Sequence, residues 1–167
     1  IWIRNGQRIN PWKKHQKKSG DIFKDSLQIC LISPSAVIFR REIFEQVGLF
    51  DEKLPACEDY ELWLRITSRF PVGLQPEAMI TRFAGHADQL SQQYWGLDRF
   101  RIYSLRKLLC SGSLTSEQQQ AATKVLLEKC RIFAQGARKR KRFFTWVYYS
   151  SLAIIYRKLL FQTIPAK

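Results

Sequence analysis

Apolar residues along this chain change their period near the middle. Up to about residue 86 they come in short runs bounded by Gly, Pro and polar clusters; beyond it they recur three and four apart over long stretches, the spacing of one helix face. Trp2 and Ile3, ahead of Asn5-Gly6, read as a short strand and turn. The stretch through Gly20, with Lys13-Lys14-His15-Gln16-Lys17-Lys18 and no sustained apolar period, reads as loop. Leu31 to Phe39 ends in a β-branched and aromatic run behind a Ser-Pro turn and predicts a buried strand. Arg41 to Val47 predicts a short helix closed by Gly48 as a left-handed cap. From Glu58 to Arg69, Leu62 and Ile66 stand four apart beside Trp63, which predicts a helix with one apolar stripe, stopped by Pro71. Val72 to Leu74 and Ala78 to Phe83 predict two strands separated by Pro76, leading into a loop at Gly85-His86-Ala87-Asp88.

The second half predicts helices. One runs from about Asp88 to Leu109 and carries Leu90, Tyr94, Leu97, Leu105 and Leu108. Another starts at Thr115, because Thr115-Ser116-Glu117-Gln118 fits a capping box, presents Ala122, Leu126, Cys130 and Phe133 on one face, and ends at Gly136. The basic run Arg138-Lys139-Arg140-Lys141-Arg142 follows, then an aromatic and aliphatic segment from Phe143 to Phe161 interrupted by Ser150, Ser151, Arg157 and Lys158. The pattern divides the chain into residues 1–87, a mixed α/β part; 88–136, a helical extension; and 137–167, a basic amphipathic tail.

Bulk properties narrow the picture. With 167 residues, 46% hydrophobic and 13% aromatic, the chain can bury a core, which excludes a disordered linker. It opens on Ile1 inside a strand-like segment, so a piece of a longer protein is expected. No apolar run reaches the roughly 18–20 residues a membrane-spanning helix needs, so a cytoplasmic protein is expected, or one held peripherally on the inner face of the membrane. Cys30, Cys57, Cys110 and Cys130 form no CxxC pair and have no flanking histidines, which points to reduced thiols rather than a zinc site or a disulfide framework.

Charge is unevenly placed. Residues 1–50 carry a net +5, residues 51–100 a net −3 and residues 101–167 a net +12, within a total of +14. Five of the fourteen acids lie between Asp51 and Glu61, where a loop runs into the Trp63 helix. Glu58, Asp59 and Glu61 thus occupy the first turn, the end whose polarity favours negative charge. A carboxylate kept ionised there can accept a proton from an incoming hydroxyl, the requirement for a general base.

Ser33-Pro34-Ser35-Ala36-Val37, the helix Arg41 to Val47, Gly48-Leu49-Phe50-Asp51-Glu52 and Glu58-Asp59-Tyr60-Glu61-Leu62-Trp63-Leu64-Arg65, in that order and with a later histidine, resemble the acceptor half of family 2 glycosyltransferases of the GT-A fold. The likeness covers roughly residues 30–90. It implies a partial GT-A, Rossmann-like α/β domain with a few strands, followed by a helical C-terminal extension. The implied reaction moves a sugar from a nucleotide-sugar donor to a hydroxyl on a saccharide or lipid-linked acceptor with inversion, in bacterial surface glycan or glycolipid synthesis. On this resemblance Asp59 is the base and Glu58 its neighbour or substitute, with Asp51 and Trp63 contacting substrate. His86 would complete a Mg or Mn site or face the donor diphosphate. Trp63 by itself suits a core position as well as a sugar face.

The family's donor-side Asp-x-Asp does not occur here, which implies a carboxyl-terminal fragment that is inactive alone and whose metal belongs to the full-length parent. The Q-x-x-R-W of processive relatives is also missing, which implies single additions. The basic tail has two readings: an interfacial helix whose Arg138, Lys139, Arg140, Lys141 and Arg142 meet anionic headgroups, or a helix packed on the protein with its charges solvated. A catalytically inactive interaction domain is a further alternative. The composition would also suit nucleic acid, but no helix-turn-helix, RNP or zinc pattern is present and the acidic middle segment opposes it.

Overall fold

The computed structural model describes residues 1–4, 6–9, 16–84 and 93–162. They divide into two compact units, Ile1–Trp95 and Gly96–Lys167. The first is mixed α/β: strands β1 (Trp2–Arg4) and β2 (Gln7–Ile9), helices α1 (Phe23–Gln28), α2 (Glu42–Val47) and α3 (Glu58–Thr67), and strand β3 (Arg82–Ala84). The second holds α4 (Asp98–Cys110), α5 (Ser116–Lys139) and α6 (Phe143–Gln162). No helix among the described residues is long and apolar enough to cross a membrane.

The sheet order is β2-β1-β3, with β1 antiparallel to β2 and parallel to β3. A parallel pair needs a long crossover, and here the helices α1 to α3 lie within it. Each strand is only three residues long. The core of this unit lies in and around the helices: Phe23, Leu27, Tyr60, Leu62 and Leu64 are almost fully buried, while Phe83 on β3 is exposed. The α/β class follows from these elements.

Residues 31–39 form no strand. Pro34 opens a 3₁₀ turn, Pro34–Ala36, with the Ala36 N–H donating to the Ser33 carbonyl at 2.9 Å. Beyond it the backbone is extended at Val37, and the alternation survives in the side chains: Val37 and Phe39 pack on the Leu62-Trp63-Ile66 cluster, while Ile38 is fully exposed. In place of the expected buried strand, only alternate side chains of the run turn inward, and their partner is the face of α3 rather than a ladder. The expected strand at 72–74 reduces to a single antiparallel bridge between Val72 and Gly20, and the following one to β3, paired with β1.

Helix α2 ends at Gly48 as expected, with a positive φ of 81° but a ψ of 172° that lies outside the left-handed helical region, and with its N–H on the Phe44 carbonyl at 2.7 Å. In the second unit, Thr115 and Gln118 make both bonds of the capping box. Helix α4 starts at Asp98, later than expected, after Gly96 at a φ of 64°; residues 88–92 of the expected helix lie outside the described ones. Helix α5 continues through Gly136 to Lys139, because one glycine costs only about 1 kcal/mol in a helix and Ala134 and Ala137 on either side of it are buried. The turn comes instead at Lys141, whose φ of 57° reverses the chain into α6.

Candidate active site

Helix α3 is held at both ends of its first turns. The Tyr60 hydroxyl, fully buried, donates to the Leu27 carbonyl at 2.6 Å and ties α3 to α1. One turn on, Arg65 grips Glu61 with two bonds, Nε to Oε1 at 2.9 Å and Nη2 to Oε2 at 2.6 Å. The same guanidinium donates to the carbonyls of Val47, Gly48 (3.2 Å) and Leu49 (2.7 Å). Arg65 therefore fastens the Gly48-Leu49 loop to α3, and Glu61, 2% exposed, is its buried counter-charge. Of the acids in this turn, Glu61 is structural.

Asp59 sits differently. It is half-buried, and each of its oxygens accepts one hydrogen bond: Oδ1 from the Tyr60 N–H at 2.6 Å and Oδ2 from the Cys30 thiol at 3.3 Å. It enters no ion pair among the described residues. An ionised carboxylate has about four lone-pair sites, so the group retains acceptor capacity for a further donor. Glu58 lies beside it with Oε2 buried and without a hydrogen-bond partner among the described residues. Both follow Cys57, which precedes the helix in the left-handed region at φ 62°, ψ 21° and whose carbonyl accepts the Glu61 N–H at 3.1 Å. For a residue with a Cβ that conformation costs roughly 1–2 kcal/mol, and it sets the direction in which the acidic turn leaves the loop.

Two residues that sequence reasoning missed belong to this neighbourhood. Cys30 touches Asp59 directly, and its Sγ also lies 3.2 Å from the Ile32 carbonyl, so a single thiol proton is shared between the two acceptors. Lys17 places its ammonium on the Leu31 carbonyl. Although the residue as a whole is exposed, partial burial of that end pulls its pKa below the usual lysine value; the nearby Cys30 thiol opposes the shift and Arg82 adds to it. Lys17 lies in a basic run visible in the sequence, but nothing local in the sequence pairs a cysteine at 30 with an aspartate at 59.

Trp63 and Asp51, also expected at the site, take other roles. Trp63 is 3% exposed, edge-on to Phe39 at 6.1 Å between ring centroids, and belongs to the core cluster, so no face of its ring is open for a sugar. Asp51 shapes its own loop: Oδ1 accepts the Lys53 N–H at 3.0 Å and its carbonyl accepts the Leu54 N–H at 3.0 Å. His86 lies outside the described residues. Among those described, no three His, Cys, Asp or Glu side chains converge as metal ligands, and Asp59 is engaged by a thiol and a backbone N–H. Comparison of the chain with family models, with curated proteins and with solved structures finds no match.

Proposed function

We propose that this chain is the acceptor side of a family 2 glycosyltransferase of the GT-A fold, with Asp59 as its general base. The observation that carries the reading is the state of that carboxylate: half-buried in the first turn of α3, oriented by the Tyr60 N–H and the Cys30 thiol, and outside any ion pair among the described residues. Its spare lone pairs can receive the proton of an acceptor hydroxyl. In the step itself the acceptor oxygen forms a bond to the anomeric carbon while its proton passes to Asp59. The bond from that carbon to the donor diphosphate breaks on the opposite face, and its electron pair leaves with the diphosphate, so the sugar inverts.

Glu58 supports Asp59 as a neighbouring carboxylate, and Trp63 contributes by anchoring α3 in the core rather than by touching sugar. Since no Asp-x-Asp occurs among these 167 residues, donor binding on this reading falls to sequence outside them, and the reaction adds single sugars in surface glycan or glycolipid synthesis. The test is Asp59→Asn in the protein that joins this chain to a donor-binding half: transfer is lost while thermal unfolding is unchanged. Retained turnover rejects the assignment. Tight, metal-dependent binding of a nucleotide sugar by the 167-residue chain alone, measured by calorimetry, rejects the division of labour.

A further inference from the structure

Helix α6 is apolar on two sides. Leu152 and Ala153 are buried, and Tyr149 meets Phe133 of α5 at 4.5 Å between ring centroids, which accounts for one face. The opposite face carries Phe144, Val147, Tyr148, Ile154 and Ile155 at helical spacing, with Ser151 among them, and it is open: Phe144 is 87% and Ile154 58% exposed. A helix buried on one side ordinarily turns polar residues outward, and a contiguous exposed apolar patch marks a binding surface.

What lies around this face identifies its occupant. The five basic residues 138–142 are all exposed and run from the last turn of α5 through the turn into α6, where they are held in place: the Lys141 N–H donates to the Arg138 carbonyl and the Arg142 N–H to that of Ala137, each at 3.0 Å. At the far end of the face stand Arg157 and Lys158, also exposed. Both ends of the apolar strip are therefore cationic. A second copy docking on the same strip in either direction would set basic residues against basic ones. An extended anionic sheet of lipid phosphates neutralises both ends at once while the apolar side chains between them leave water.

We propose that the outer face of α6 and the basic turn before it form a docking surface for anionic membranes, with the helix lying in the plane of the interface. At about 1.5 Å per residue the 20-residue helix spans roughly 30 Å, and an interfacial helix of this kind sinks its apolar side only about 5–10 Å. The inference concerns the second unit and stands whether or not Asp59 is a base.

The experiment is co-sedimentation of the whole chain with phosphatidylcholine vesicles, with and without phosphatidylserine, at low and high salt. Expected is binding to the anionic vesicles alone, weakened by salt. Replacing Arg138 and Lys139 with Gln should lower the partition coefficient about fivefold per charge removed. Ile154→Asp should lower it without changing the circular dichroism or melting temperature. Equal binding to neutral vesicles, no binding to anionic ones, or indifference to both sets of variants overturns the proposal. So does a concentration-dependent dimer that Ile154→Asp dissolves without any vesicle binding, which assigns the face to a second copy. Salt-sensitive binding of duplex DNA or RNA that displaces anionic vesicles and ignores Ile154→Asp assigns the basic turn to nucleic acid instead.

Discussion

Replacing Arg65 with Met tests the division of roles within the acidic turn. The substitution keeps much of the aliphatic stem and removes the guanidinium, stranding Glu61 at 2% exposure with its charge uncompensated. Breaking one side of a buried pair costs about 3–5 kcal/mol. The carbonyls of Val47, Gly48 and Leu49 lose donors as well, but Leu49 is 70% exposed and water can replace part of what is lost there. A unit of the size of Ile1–Trp95 has a total stability of about 5–14 kcal/mol at roughly 0.05–0.15 kcal/mol per residue, so Arg65→Met should remove about a fifth of it or more. Urea titration followed by hydrogen exchange of peptides from α3 reads the loss in this unit alone. A double variant, Glu61→Leu with Arg65→Met, should be more stable than Arg65→Met, because it removes the stranded charge along with its partner. A loss under about 1 kcal/mol for Arg65→Met, the worth of an exposed pair, would refute the view that Glu61 and Arg65 form a buried clamp. It would also reopen Glu61 as a chemical residue beside Asp59.

Two further outcomes follow from local features. At Cys57, whose φ of 62° disfavours branching at Cβ, Cys57→Val should be less stable than Cys57→Gly by about 1–2 kcal/mol, read by the same urea titration; equal stability would mean that the loop relaxes freely. Burial pushes the Cys130 thiol up from 9.0 to about 11, against the smaller opposing effect of Arg106. The unfolded chain then releases this proton first, so its stabilising contribution is complete below pH 9 and is lost as the pH climbs toward 11. Native alkylation monitored by mass spectrometry should label the exposed Cys110 well before Cys130, and Cys130→Ala should flatten the alkaline fall in stability of the second unit. An unchanged slope would place the titrating group elsewhere.

Features set by neighbours in sequence were legible without coordinates. The capping box at Thr115 and Gln118, the positive φ at Gly48, the helix from Glu58 with its acidic first turn and the change from mixed to helical structure depend on contacts within a few residues, so side-chain type and spacing suffice to read them. Tertiary structure decided what depends on distant partners. The run 31–39 has strand-like alternation, yet whether it pairs or packs rests on what lies beside it, and Trp63 supplies a surface rather than a ladder. The turn after Gly136 is placed by the packing of α5, which outweighs the cost of one glycine. Between Asp51 and Glu61, sequence concentrates five carboxylates but cannot rank them. Arg65 neutralises Glu61 four residues on, and its reach to the 47–49 carbonyls makes that pair a clamp. Asp59 is left to a thiol 29 residues earlier in the chain, because folding brings together groups that no local periodicity links.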